Sequence, residues 1–397
     1  MAVNSASVTQ PLSPPAPRKR RQCINWQENL TGYLYILPTI LLVSIFGIFP
    51  IGYAFYMSLR RWRVIDKGFI GFTNYNKAIG DWTGALLFVA GFFIFLATYY
   101  VREYLLPANE YAVGSRVWVR NGVTVAMILL GCVVVGQGWA RIIGAGDDRF
   151  LNSLPVTFYY AMGTVPIQIA IALVLASILY QKLYGQELFR MIFFLPYITP
   201  VIATALIFRN IFSPRETSLA NQFLEGMGGD AQRWLFEQLP VLQIVTGVEL
   251  SGFFAGPSLA LVSIIMFGVW TYIGYNTVIF LAGLGSIPRS LYEAAEIDGA
   301  NQWHSFRYIT IPLLSPVTFY LSLIGFIGTF KAFNHIFVMQ EPAAQGTVVT
   351  TSLAIYNSAF KASQFGYASA QAMLLFLVIL FLTFVQTRVF GNRVFYG

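Results

Sequence analysis

The sequence predicts an all-α, polytopic membrane protein of about eight spanning helices, and two observations carry that prediction. Apolar residues make up 56% of the 397-residue chain and charged ones 11%, whereas a soluble domain carries about 25% charge. Several uncharged runs reach roughly 18 residues or more, the length that matches the hydrocarbon thickness of a bilayer.

Apolar runs fall at residues 33–58, 84–101, 119–140, 154–179, 191–212, 259–284, 312–333 and 368–388. The first contains Pro38 and Pro50 and the fifth Pro196 and Pro200. Proline frees backbone groups that neighbouring helices must satisfy, so both spans are expected to be kinked and packed inside the bundle. Residues 1–32, Pro/Ser-rich and then basic, lack the apolar core of a removable signal peptide and are expected to form a disordered cytosolic tail. Arg18, Lys19, Arg20 and Arg21 place the N-terminus inside, by the excess of Lys and Arg on the cytoplasmic side. Eight spans then put the C-terminus and the loops at 102–118, 180–190 and 285–311 inside as well. The asymmetry is weak, because Arg60, Arg61, Arg63, Lys67 and Lys77 fall in the outside loop at 59–83. Residues 213–258 are long, mixed and extracytoplasmic in this topology. The apolar part, "LPVLQIVTGVEL", is too short to span and reads as an interfacial helix or small cap.

Other classes are excluded on residue grounds. The net charge of +8 reflects retained loop cations rather than a nucleic-acid partner. Cys23 and Cys132 lie too far apart to pair, and no metal-ligand spacing exists. No phosphate loop with a Gly-x-x-x-x-Gly-Lys-Ser/Thr pattern is present. His304 and His335 stand in no catalytic pattern, and no intramembrane carboxylate pair suggests a proton relay.

The segment "SIPRSLYEAAEIDGANQWHSFRYITIPLLSP" (286–316) is polar yet lies between two spans. Ser290 and Glu293 fit a capping box, which predicts a helix over 291–298 that ends at Asp298-Gly299 with glycine as left-handed cap. Asn301 is a candidate cap for a second short helix. Ala294 and Ala295 keep the first helix slim, and Leu291 and Ile297 give it apolar ends, as suits a helix lying in another protein's groove. An ordinary solvated loop is the other reading of these residues.

The pattern Glu293-Ala294-Ala295, Gly299, Ile309 and Pro312 closely resembles the EAA motif of bacterial ABC-importer permeases, with Ile311 where leucine is usual. "FLAGLGSIPRSLYEAAEIDGA", "FRMIFFLPYITPVIATALIF", "FGYASAQAMLLFLVILFLT" and "FIGFTNY" are similar to the carbohydrate branch, of the maltose and glycerol-3-phosphate permease type. The resemblance implies a type I importer permease fold over most of the chain, with 33–81 as first span and loop, 147–397 as permease core and 286–312 as cytosolic coupling helices. Residues 82–146 depart from the family as an extra inserted transmembrane hairpin. Implied partners are a cytosolic ATPase dimer that binds ATP and magnesium, a second permease subunit and an extracytoplasmic solute-binding protein, in the bacterial cytoplasmic membrane. No cofactor is expected on this chain. Glu293, Ala294, Ala295, Asp298, Gly299, Ile309 and Pro312 are the implied ATPase-coupling residues.

A sugar path needs hydrogen-bonding groups and aromatic faces inside the bundle, and polar residues within spans mark either a path or a helix–helix contact. The cluster "WTYIGYNT" sits in an otherwise apolar span. Against the maltose permease pattern, the resemblance puts Trp270, Thr271, Tyr272, Tyr275 and Tyr197 at sugar-contacting positions, and Asn334 and His335 near others. Three rival readings are an ABC permease for polyamines, phosphate or another small solute, a stand-alone secondary carrier, and a membrane-embedded enzyme. The intramembrane charge pairs and inverted repeats of a carrier and any catalytic constellation are absent from the sequence.

Overall fold

The computed structural model describes residues 26–105, 115–181, 184–249 and 252–391. The basic run at 18–21 and Cys23 lie outside the described residues. Among the described residues, six helices are long and apolar enough to cross a membrane, or up to eight if each of two bent pairs is one span.

The chain divides into a unit ending at Tyr53 and a second beginning at Ala54. In the first, α1 (Trp26–Val43) begins inside the stretch expected to be a disordered tail. No proline or glycine interrupts residues 26–31, so nothing stops the helix from starting there. A π-helical turn over Ser44–Ile48 leads into α2 (Phe49–Ser58), which continues into the second unit. The Phe49 amide donates to Ser44 O, one residue further back than an α-helix requires. That rearrangement sits where Pro50 has no amide to donate.

The second unit continues with a small hairpin, β1 (Arg60–Trp62) and β2 (Asp66–Phe69), with an Arg60–Asp66 ion pair of 2.6 Å between the two strands. The guanidinium hydrogen bond holds the Asp66 carboxyl below its usual range. In α3 (Thr73–Ile79), Asn74 Nδ2 donates to Ser58 O at 2.7 Å and Arg60 O at 3.1 Å, closing the loop onto itself.

Next come α4 (Trp82–Tyr100) and α5 (Ser115–Ala145), which pack closely along a glycine seam. A Cβ at Gly84 would stand 2.8 Å from Arg141 Cβ, and one at Gly138 would stand 2.5 Å from the Phe88 backbone nitrogen. Small residues let helix backbones approach where lipid offers no hydrophobic drive for association.

The centre of the second unit is α6 (Asp148–Leu179), which packs along α11 (Leu259–Gly285). Both run through two buried clusters, one holding Tyr160, Ile264 and Phe267 and the other Ala172, Phe280 and Leu284. Asp147 caps α6 by accepting from Arg149 N at 2.9 Å, and its second oxygen accepts from Tyr367 OH at 2.6 Å.

Between them, the fifth predicted span is not one kinked helix. It is two helices, α7 (Gln186–Ile198) and α8 (Val201–Ile211), turned by 95° at Thr199-Pro200. Pro200 forces the residue before it out of the helical region, and Thr199 has ψ 146° accordingly.

Residues 213–249 form a cap of short elements that include α9 (Leu219–Gly226) and α10 (Val241–Thr246). Fully buried Asn221 ties it together. Its Nδ2 donates to Arg215 O and Gln232 O, and its Oδ1 accepts from Gln232 N and from Trp234 Nε1 at 2.6 Å. Asn221→Ala strands these partners, each costing about 1–3 kcal/mol when left unsatisfied. The expected result is faster protease cleavage within 213–249 at unchanged membrane insertion, read by limited proteolysis of intact vesicles.

Beyond α11 follow α12 (Arg289–Ile297), α13 (Gln302–Ser305), a π-helical turn at Phe306–Thr310, α14 (Ile311–Leu313) and α15 (Ser315–Phe330). The seventh predicted span therefore stops at Phe330, and Gln302–Leu313 meets it at 60°. The chain then forms α16 (Asn334–Met339), α17 (Gln345–Val348), α18 (Thr351–Tyr356) and α19 (Phe365–Val389). The first amide of α18, Thr351 N, donates to Thr157 Oγ1 of α6 at 2.8 Å, in place of the helical partner it lacks.

Candidate functional site

A cavity of about 490 Å³ opens where two helix breaks meet the central pair. One break, between α7 and α8, contributes Tyr197, Thr199 and Val201; the other, between α15 and α16, contributes Lys331, Phe333, Asn334 and His335. The α11 wall supplies Thr271, Tyr272, Tyr275 and Asn276, and the α6 wall Tyr160 and Gln168. Unwound backbone of this kind is tolerated at membrane depth where it lines a cavity.

Gly274 brings the walls together. A Cβ there would stand 1.8 Å from Phe193 O, so α11 and α7 meet backbone to backbone. That approach sets Tyr197 on Tyr275, with ring centroids 4.7 Å apart at 26°, and Tyr272 at 5.9 Å from Tyr197. Stacked rings of this geometry present apolar faces beside polar hydroxyls.

Of the seven substrate-path residues predicted from sequence, Tyr197, Thr271, Tyr272, Tyr275, Asn334 and His335 line this cavity. Trp270 is not in the lining; its ring packs 4.8 Å from Phe208. The helix turns about 100° per residue, so Trp270 and Thr271 face different neighbours. His335 is buried, and its Nε2 meets Tyr160 OH at 2.7 Å, while Asn334 is exposed. Gln168 and Asn276, absent from the sequence prediction, also stand in the wall. An amide in an apolar helix reads from sequence as a helix–helix contact, and only the packing separates that case from a lining position.

The polar segment 286–312 presents an open surface. Glu293, Ala294, Asp298, Gly299 and Pro312 are exposed, Ala295 and Ile309 half-buried. Ile297 is 88% exposed, Tyr308 72% and Trp303 67%. The capping box is not formed. Pro288, with φ −61°, is the N-cap and α12 starts at Arg289, so Ser290 lies inside the first turn with no side-chain cap. Pro288 takes the N-cap position two residues before the serine, and its fixed φ suits that helix start. Gly299 adopts φ +80°, and Ala300 N donates to Ala295 O at 2.8 Å, closing the helix end. Asn301 caps α13, its Oδ1 accepting from His304 N at 2.8 Å.

The inner side of this segment is anchored. Tyr292 packs on the cluster of Phe280, Leu284, Ile287, Leu314 and Leu321, and its hydroxyl meets Thr310 Oγ1 at 2.9 Å. Tyr292 thereby joins α12 to α11 and α15. Among the described residues, no group of three or more His, Cys, Asp or Glu is arranged to hold a metal ion.

Comparison with known proteins finds relatives of the chain. Residues 168–396 match the family model of the binding-protein-dependent transport system inner membrane component. The chain is 32% identical over 257 residues to the arabinooligosaccharides transport system permease protein AraP of Bacillus subtilis, covering 64% of this chain and 76% of that relative. It is 26% identical over 368 residues to the trehalose/maltose transport system permease protein MalF of Thermococcus litoralis, covering 92% and 95%. Among solved structures, a chain of a bacterial ABC transporter involved in the import of the acidic polysaccharide alginate superposes with a TM-score of 0.57 at 18% identity, over 92% of this chain and 96% of that one.

Proposed function

The chain belongs to the family of binding-protein-dependent transport system inner membrane components, and from that premise we propose that it is the permease subunit of an ATP-driven importer for a carbohydrate. The observation that carries the substrate class is the cavity whose lining combines the Tyr197–Tyr275 stack with buried hydroxyl and amide groups. Aromatic faces with a few placed polar groups are the usual lining of a small-molecule site, and a sugar has both the C–H faces and the hydroxyls to match. The relatives named for arabinooligosaccharides and for trehalose/maltose support the same class.

In this reading an extracytoplasmic solute-binding protein delivers the sugar, a second permease subunit completes the path, and a pair of cytosolic ATPase subunits binds ATP and magnesium. The exposed face of α12 and the following turn, with Glu293, Ala294, Ala295, Asp298, Gly299, Ile309 and Pro312, docks on the ATPase. ATP-driven closure moves α12, and Tyr292 passes the motion to α11 and α15. The helix breaks that frame the cavity are the places where such rigid-body motion exchanges access from one side to the other.

The test is uptake by the native strain, by a deletion strain and by the deletion strain carrying the chain on a plasmid, across labelled lactose, trehalose, maltose, arabinotriose, putrescine and phosphate. Deletion removes uptake of one or more sugars and leaves putrescine and phosphate uptake intact. The opposite pattern contradicts the substrate class. Tyr275→Ala is expected to lower uptake of the affected sugar about tenfold, equivalent to about 1.4 kcal/mol, at unchanged chain abundance on immunoblots.

A further inference from the structure

Two polar atoms in the cavity wall have no explanation in the packing. Gln168 and Asn276 are 3% and 4% exposed, and both line the cavity. Gln168 Oε1 and Asn276 Nδ2 are buried and without a hydrogen-bond partner. Buried polar side-chain atoms in native structures are almost all paired, and one left alone requires a reason. Here the two lie on facing elements of the central pair, α6 and α11, within the lining of a cavity large enough to admit a ligand.

We infer that Gln168 and Asn276 are specificity-determining residues that read hydroxyl groups of a neutral, polyhydroxylated ligand in this cavity. The inference rests on the carbohydrate reading above and narrows it to uncharged sugars. One wall lacks a donor and the other lacks an acceptor. A hydroxyl is both, so a run of adjacent hydroxyls satisfies the free Gln168 Oε1 and the free Asn276 Nδ2 together. A carboxylate has only acceptors and serves Asn276 alone; an ammonium has only donors and serves Gln168 alone. The charged side chain in the lining, Lys331, is exposed and keeps its water, whereas the amides have already lost theirs. A site whose buried polar groups are unpaired without the ligand rejects analogues that cannot pair them. The same atoms therefore bind and discriminate.

The experiment uses the purified transporter complex in lipid nanodiscs with the binding protein left out, so that the affinity measured belongs to the permease cavity. Tritiated lactose, trehalose, maltose, arabinotriose and trigalacturonate are the probes. The wild-type complex is expected to bind at least one neutral sugar more tightly than trigalacturonate. Gln168→Leu and Asn276→Leu are each expected to raise the Kd of that sugar about tenfold, the loss of one net hydrogen bond. Their melting temperatures are expected to be unchanged or higher, because each variant removes an unsatisfied polar atom from the wall. An unchanged Kd in both variants, or a melting temperature several degrees lower with Kd unchanged, makes the amides structural and overturns the inference while leaving the carbohydrate reading standing. Tightest binding of trigalacturonate, abolished in Lys331→Gln, overturns the neutral class in favour of an acidic sugar. No binding of any sugar by the wild-type complex overturns both readings.

Discussion

Gly274→Ala is expected to abolish transport and to lower the melting temperature of the chain by more than any other single methyl addition in α11. The new Cβ would stand 1.8 Å from Phe193 O, 2.5 Å from Phe193 C and 3.0 Å from Phe194 Cα. All three are backbone atoms of α7, so no side chain can rotate away, and the two helices must separate. Overpacking a filled site costs about 1–3 kcal/mol when side chains can adjust, and the cost here lies at or above the top of that range. Separation also pulls Tyr197 off Tyr275, so the cavity loses its aromatic wall even if the chain survives. Gly285→Ala in the same helix is the control, since nothing lies within 4 Å of its Cβ position. Thermal unfolding of a fluorescent fusion by size-exclusion chromatography reads both. A Gly274→Ala chain that melts with the wild type shows that α7 and α11 do not touch as described.

The second large effect is expected in the exposed segment. Gly299→Pro should remove ATP-driven uptake with most of the chain still in the membrane, and Glu293→Ala should remove most of it. Proline cannot adopt the φ of +80° that Gly299 holds. The chain past α12 must then leave in another direction, which moves the exposed Trp303 relative to the exposed Ile297. The rest of the fold is spared, because nothing lies within 4 Å of a Gly299 Cβ and α12 has no fully buried residue. Glu293 forms no ion pair among the described residues, so its removal breaks little within the chain. Coupling energies between distant sites run to about 1–3 kcal/mol, enough for a single lost contact at the docking face to matter. Uptake and chain abundance measured on the same cells separate coupling from folding. Normal uptake in both variants removes the docking role from this segment.

Much of this architecture is legible in the sequence because the bilayer leaves few options. The runs at 84–101, 119–140, 154–179, 259–284 and 368–388 each correspond to one long helix in the structure. The left-handed glycine at 299 and the cap at Asn301 were likewise readable, since each depends on a few neighbouring residues. What sequence could not supply are features decided across the chain. Pro200 reads as a kink, yet the 95° turn between α7 and α8 also depends on what packs on either side. The run at 312–333 looks continuous, but Phe330 ends the helix before Lys331 and a second short helix starts at Asn334. Ser290 matches a capping pattern that the φ of Pro288 pre-empts. Trp270 belongs to a polar-aromatic cluster by composition and to the Phe208 and Phe267 packing by geometry. Gln168 and Asn276 look like ordinary helix glue until their surroundings show that nothing meets their free atoms.

Purification of the full tagged chain from native membranes in mild detergent, with every co-purifying protein identified and counted, decides whether it works as one subunit of an importer. An ATP-hydrolysing subunit and a second permease are expected in fixed proportion, with the ATPase lost from the Gly299→Pro preparation while the second permease stays. A wild-type chain that emerges stable and alone, or one that keeps its ATPase undiminished when the segment around Gly299 is broken, would contradict that role.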